Sequence, residues 1–292
     1  MGPDPGSGPD VGLGSGPDGN LLTNGDVHGV PAAGSDAALL VDAAEAGGAI
    51  ALKYWRTDVT RWDKNDGAGP VTVADLEINE MLGDRLRAAR PDYGWLSEES
   101  DDGSERLGAE HVFIVDPIDG TRAFIDNNEG FSVVLAVARY GSITAAAIHL
   151  PARRETYWAS VGGGAWKNGA RIQVSERMDA TGSTVLSARI QMLPERWPGG
   201  VPPLERHFRS SLAWRMALVA EGRFDSMVTF RRSWEWDIAA GALIGAEAGA
   251  VVSDGNGLAM TFNAPDAMQA GVVMASPRLH ADLMGYRQGP GS

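Results

Sequence analysis

Residues 112–121 constrain this chain more tightly than any other stretch. A β-rich run, Val112 to Val115, halts at Asp116-Pro117 and leads into Ile118-Asp119-Gly120-Thr121. Proline fixes φ and removes a ladder donor, so the strand is predicted to stop there, and glycine permits a tight turn into the next element. A fold that buries this strand must deliver two carboxylates, three residues apart, at its end. Such a pair can converge on a hard cation, which takes oxygen ligands, and the Ile118 carbonyl between them could add another. The amides of Gly120 and Thr121 are predicted to open a helix and to be free for a phosphate oxygen. Taken alone, Asp-Pro-x-Asp also reads as an Asp-rich turn after a strand.

Two further acidic segments carry the same ambiguity. Trp95-Leu96-Ser97-Glu98-Glu99-Ser100 sets two acids after an apolar pair, as another metal ligand or as a solvated loop. Trp234-Glu235-Trp236-Asp237 precedes an Ala/Gly-rich helix. There Asp237 reads as a helix cap or, beside two tryptophans, as a carboxylate in a buried, shaped setting.

Around these segments the chain alternates in texture. Ser35 is a candidate N-cap for a helix whose stripe is Leu39, Leu40, Ala43, Ala44, Ile50, Ala51 and Tyr54, with Gly47 placed for close packing. A loop at Asp66-Gly67-Ala68-Gly69-Pro70 precedes a second helix, opened by Asp75, striped by Ile78, Met81, Leu82 and Leu86, and ended by Arg90-Pro91. Strands are predicted over Phe131 to Ala138 and Ile143 to Leu150, joined by Tyr140-Gly141. Tyr157 to Ser160 and Arg171 to Val174 are then predicted to flank a turn at Asn168-Gly169. Gly162-Gly163-Gly164 lacks the Gly-Lys-Ser/Thr ending of a phosphate loop and reads as a strand connection. The second half brings a strand at Thr184-Val185-Leu186, helices over Leu212 to Glu221 and Ile238 to Ala248 with Gly249 as C′, and a strand at Val251-Val252. Mixed helices, strands and hairpins predict an α/β or α+β layered enzyme. Residues 1–34 are predicted to be a flexible Gly/Pro-rich tail. Residues 35–181 form an N-terminal half with most of the candidate ligands, 182–288 a C-terminal half with Asp237, and 289–292 a short tail.

Bulk composition removes several function classes. The 292 residues carry a formal net charge of −13, which repels nucleic-acid backbones and anionic membranes. No nucleic-acid partner and no stable membrane association are predicted, and no run approaches the ~18 apolar residues of a span. The absence of cysteine rules out disulfides, zinc-thiolate sites and cysteine nucleophiles, and suits the cytoplasm. The histidines His28, His111, His149, His207 and His280 show no metal-ligand spacing. Trp166, Trp234 and Trp236 are candidates to face an aromatic ligand.

The Glu98-Glu99 pair, Asp116-Pro117-Ile118-Asp119-Gly120-Thr121 and the distant Trp236-Asp237, in that order, resemble the inositol monophosphatase superfamily of lithium-sensitive, magnesium-dependent phosphatases. The resemblance runs from about Ser35 to Leu283. It implies a layered αβαβα sandwich and a small phosphorylated substrate. It implies two or three Mg2+ ions held by Glu98, Asp116, Asp119, Asp237 and the Ile118 carbonyl, with Glu98 counted among the catalytic residues. Thr121 matches the residue that helps activate the attacking water, and Asp75 the acid paired with it. Family members are often homodimers.

Substrate choice is read from finer similarities. Inositol-specific members carry an acid about seven residues before the Trp-Asp aspartate, where this chain has Phe230. Glu235-Trp236-Asp237, Phe208-Arg209-Ser210-Ser211-Leu212 and Leu218-Val219-Ala220-Glu221-Gly222 are similar to the bacterial 3′(2′),5′-bisphosphate nucleotidase branch. That branch carries a lysine just after the Ser-Leu pair, where Ala213-Trp214 stands here. Arg209 or Arg215 is therefore expected to hold a second phosphate, with Gly120, Thr121 and Glu235 as further substrate contacts. The expected substrate is adenosine 3′,5′-bisphosphate. An inositol phosphatase, a catalytically silent partner-binding relative and a two-carboxylate glycosidase are the alternatives.

Overall fold

The structure is a computed structural model, and it describes residues 29–64 and 69–289. The predicted N-terminal tail and the loop at 66–70 fall mostly, and the C-terminal tail almost wholly, outside the described residues. Ser35 caps α1 (Asp36–Tyr54), its Oγ accepting the Ala38 amide at 3.2 Å. A Cβ on Gly47 would meet Ile78 at 3.2 Å, so the glycine lets α1 lie close against α2 (Val73–Ala89). Thr72 caps α2 in a capping box: its hydroxyl accepts from the first turn while Asp75 accepts the Thr72 amide. A ribbon of β1 (Arg61–Asp63) and β2 (Pro70–Thr72) links the two helices.

Beneath them lies a seven-stranded sheet: β3 (Gly94–Ser97), β4 (His111–Asp119), β5 (Ser132–Arg139), β6 (Ser142–Leu150), β7 (Glu155–Ser160), β8 (Gly164–Lys167) and β9 (Ala170–Arg171). Its order is sequential, with β3 parallel to β4 and every later pair antiparallel. The central strands read as continuous apolar runs because both faces are covered. Val133, Leu135 and Val137 of β5 pack toward α1 and α2, and Val134, Ala136 and Ala138 toward the opposite side. Each fully buried Val or Leu there contributes roughly 1.5–3 kcal/mol.

The opposite face is covered by α4 (Leu212–Ala220) and α5 (Glu235–Glu247). The next layer is a five-stranded sheet, in the order β11 (Glu205–His207), β10 (Thr184–Leu186), β12 (Ser226–Thr229), β16 (Val272–Ala275), β14 (Val251–Ser253). On its far side is α6 (Pro277–Gln288). The expected five-layer αβαβα stack is therefore present. Short α3 (Thr121–Ile125) comes directly after β4, and β13 (Ser233–Trp234) pairs with β15 (Met268–Gln269) before α5.

Three local expectations are corrected. β4 does not stop at Asp116-Pro117 but resumes pairing at Asp119, because the ladder can skip the donor that proline lacks. Asn168-Gly169, both at positive φ, joins β8 to the two-residue β9 rather than joining the longer runs that flank it. Trp234, not Asp237, stands at the N-cap of α5, which places Asp237 in the helix's first turn.

Candidate active site

The register break in β4 is what makes the site possible. Residues three apart on a regular strand point to opposite faces. Here Asp116 pairs with Val134 and Asp119 with Ser132, three steps on β4 against two on β5. The extra residue lets both carboxylates reach one place. Gly120 then turns the chain into α3 at φ 93°, and a Cβ there would stand 2.9 Å from the Gly130 carbonyl oxygen, so only glycine fits. The first turn of α5 brings Asp237, and carboxylate oxygens of Asp116, Asp119 and Asp237 lie within 4.8 Å of one another.

Each carboxylate is held differently. Asp119 Oδ2 accepts the Ser211 hydroxyl at 2.6 Å and the Ala213 amide at 2.8 Å. Asp116 is 1% exposed, and its Oδ1 has no hydrogen-bond partner. Burial, then the neighbouring charges of Glu98, Asp119 and Asp237, pushes the Asp116 pKa well up. Burial and the charges of Asp119 and Glu98 do the same for Asp237. Burial lifts Asp119 to about 6 despite its hydrogen bonds. A buried, orphaned oxygen facing two further acids fits a hard divalent cation, which supplies the missing partner and neutralises the repulsion.

Asp75 lies behind Thr121, fully buried, with its pKa raised by burial to about 6. Its Oδ2 accepts the Thr72 amide and hydroxyl, leaving Oδ1 3.5 Å from Thr121 Oγ1. Thr121 Oγ1 also lies 3.0 Å from the Ile118 carbonyl oxygen. Glu98 lines the same cavity as Thr121, but its Oε1 is paired with Lys64 Nζ at 2.8 Å, and Lys64 also reaches Glu99 at 2.6 Å. Motif spacing does not single out Lys64, since nothing in its own neighbourhood marks it.

The cavity has a volume of about 650 Å³ and also holds Gly120, Thr121 and Arg215. Several expected contacts lie elsewhere. Arg209 turns away, its guanidinium resting on the Trp214 and Phe224 rings. Glu235 is fully buried and accepts the Asn263 and Ala264 amides and the Gln269 side chain, so it anchors a loop. Phe230 packs edge-on against Trp197, while its neighbours Thr229 and Arg231 line the cavity. Trp234 and Trp236 stack on each other, Trp166 stacks on Trp158, and none of these lines the cavity. Arg122 and Arg231, which do line it, belong to no motif that spacing reveals, and Phe208, which also lines it, opens the nucleotidase-like segment but takes no role from it. The Arg231-Arg232 doublet just before the Trp-Asp motif was the one available signal.

A strand-end carboxylate cluster in a five-layer αβαβα fold, with a buried acid and a threonine beside it, is an arrangement suited to metal-assisted phosphoryl chemistry. The chain belongs to the inositol monophosphatase family, whose family model matches residues 35–289, and it is a phosphoric monoester hydrolase. That family is metal-dependent, generally on Mg2+. The chain is 37% identical over 197 residues, 64% of its own length and 72% of the other's, to the fructose-1,6-bisphosphatase/inositol-1-monophosphatase of Thermotoga maritima. It is 28% identical over 236 residues (77% and 86%) to the 3′(2′),5′-bisphosphate nucleotidase CysQ of Aggregatibacter actinomycetemcomitans. The extragenic suppressor protein SuhB from Bartonella henselae has a solved structure similar to this one, with a TM-score of 0.73 at 26% identity, covering 87% of this chain and 98% of that one. No helix of the described residues is long and apolar enough to cross a membrane.

Proposed function

We propose that this chain is a Mg2+-dependent phosphomonoesterase that prefers a substrate with a second anionic group, adenosine 3′,5′-bisphosphate being the favoured case. The observation that carries the chemistry is the orphaned Asp116 Oδ1 among three converging carboxylates. Asp116, Asp119, Asp237 and Glu98, with the Ile118 carbonyl, would hold two or three ions. Ions held there would supply Lewis acidity toward the phosphoryl oxygens and would lower the pKa of water. The chain's own part is positioning. Thr121 Oγ1 can accept a hydrogen bond from the attacking water while donating its own proton to Asp75 Oδ1. The capping box fixes Asp75 for that role.

Arg122, Arg215 and Arg231 support the substrate reading. All three line the cavity, and among the described residues none lies within ion-pair distance of a carboxylate. Arg231 replaces Arg209 as the candidate for a second phosphate, because Arg209 faces away. Guanidinium groups suit that role through paired, charge-assisted hydrogen bonds. Inositol 1-phosphate is the second reading, favoured by the higher identity to a relative named for it. Phosphate release with Mg2+ and with EDTA tests the first claim, and full turnover in chelator overturns it. The ratio of kcat/KM for the two substrates tests the second. It is expected to favour the nucleotide by at least roughly tenfold, or about 1.4 kcal/mol.

A further inference from the structure

Phe208 opens an aromatic face to the catalytic cavity, and nothing in the hydrolytic chemistry requires it. The ring lines the cavity and is 51% exposed. The guanidinium carbon of Arg215 lies 4.6 Å from the ring centroid, and Arg215 is itself buried. Arg215 is pinned: Nε donates to the Arg209 carbonyl at 2.6 Å and Nη2 to the Ser210 carbonyl at 3.3 Å. The same turn supplies the Ser211 hydroxyl and Ala213 amide that hold Asp119. The backbone that carries the ring is therefore tied to the turn that holds the carboxylate cluster. Ile190, 56% exposed, adds a second apolar surface on the same cavity. Two large apolar side chains are thus left open to water on a cavity whose floor is charged.

We propose that Phe208, backed by Arg215 and sharing the cavity with Ile190, is the platform on which the nucleobase of the substrate stacks while the 3′ oxygen of its ribose leaves the phosphoryl group. Phe208 is then a specificity-determining residue for the reaction. A cation held against one face of an aromatic ring leaves the other face for stacking, and every base offers a π-face to it. The inference rests on the nucleotide reading above and adds where the base would lie.

Wild type, Phe208→Ala and Phe208→Tyr are assayed with Mg2+ on adenosine 3′,5′-bisphosphate and on the abasic ribose bisphosphate. Phe208→Ala is expected to lower kcat/KM for the nucleotide about tenfold more than for the abasic compound, a difference of about 1.4 kcal/mol expressed mainly in KM. Phe208→Tyr should retain the preference. Equal losses on both substrates, or none, overturn the platform while leaving a nucleotide preference of the wild type standing. A second arm does not depend on which substrate is preferred. AMP and ribose 5-phosphate compete against glycerol 2-phosphate turnover. A Ki for AMP that rises about tenfold in Phe208→Ala, with ribose 5-phosphate unmoved, upholds the platform. An unmoved AMP Ki overturns it, even where the wild type prefers inositol 1-phosphate and the substrate reading has failed by itself.

Discussion

The floor and the rim of the cavity are built on opposite principles. Floor residues come from the ends of long elements: Asp75 from α2, Asp116 and Asp119 from β4, Asp237 from α5. Asp75, Asp116 and Asp119 are buried, and Asp75 and Asp119 are locked by two hydrogen bonds each. Rim residues come from short or irregular segments: Phe208 from the loop after β11, Ile190 from a four-residue 3-10 helix, Arg122 from the five-residue α3, Arg231 from the link after β12. They are exposed, and their polar ends lack carboxylate partners among the described residues. A floor fixed on regular elements holds reacting groups to within fractions of an ångström, whereas a rim on loops can change its ligand without disturbing the fold.

If that division holds, floor variants lose chemistry and rim variants lose discrimination. The largest effect is expected for Asp116→Asn. Replacing a carboxylate that should meet the ion with an amide should cut kcat/KM at least about 1000-fold, or about 4 kcal/mol. It should also abolish the rise in Tm that Mg2+ gives the wild type. A loss under about tenfold would remove Asp116 from the metal site. Thr121→Ala and Asp75→Asn come next, each lowering kcat about tenfold or more with KM nearly constant, because their contact matters mainly in the transition state. Steady-state kinetics decide this, and unchanged turnover in both variants removes the pair from the mechanism. Smaller again is Arg231→Ala on the rim. It should lower kcat/KM for adenosine 3′,5′-bisphosphate about three- to tenfold and leave inositol 1-phosphate almost untouched. Equal losses on both substrates would place Arg231 on the reacting phosphate instead.

The same division explains what the sequence disclosed. The floor was legible because its acids fall in ordered motifs whose spacing matches a strand end and a helix start. The layered fold was legible because β5 and β6 are apolar on both faces and so must lie between covering layers. The rim was not. Counting seven residues back from Asp237 reached Phe230, but strand parity sends Phe230 to the Trp197 side and its neighbours Thr229 and Arg231 to the cavity. Glu235 was drawn in by the Glu235-Trp236-Asp237 triplet shared with the nucleotidase branch, yet residues two apart on a helix diverge by roughly 200°, and Glu235 turns instead to the Asn263 and Ala264 amides. Arg209 and Arg215 looked equivalent in the sequence, and only the packing of the turn at 208–211 separates them. Register breaks, parity and turn packing are tertiary facts that motif spacing does not encode.

The smallest expected effect concerns pH, and it sharpens the picture of a floor built for a cation. Asp75 and Asp119 have pKa values raised by burial to about 6, against an ordinary 3.8, and burial and neighbouring carboxylates raise Asp116 and Asp237 well above that ordinary value too. Without metal, the folded state therefore binds more protons than the unfolded chain between about pH 4 and about pH 6. Stability from these groups is complete below the unfolded pKa and is lost as pH rises through the folded pKa. His149 and His280, both lowered by burial, act in the opposite sense and lose stability as pH falls below about 6.5. With Glu99, raised by burial to about 7, and Glu235, also raised by burial, six carboxylates outweigh two imidazoles, so EDTA-treated protein should melt a few degrees higher near pH 5 than near pH 7. Mg2+ binds the ionised carboxylates, so in its presence the stabilisation should grow toward pH 7 and the difference should shrink or reverse. Calorimetric melts at the two pH values, with and without Mg2+, check this. A metal-free protein that is more stable near pH 7, with no further gain from Mg2+, would mean that the clustered acids are neutralised from within the chain and that the floor is not a cation site.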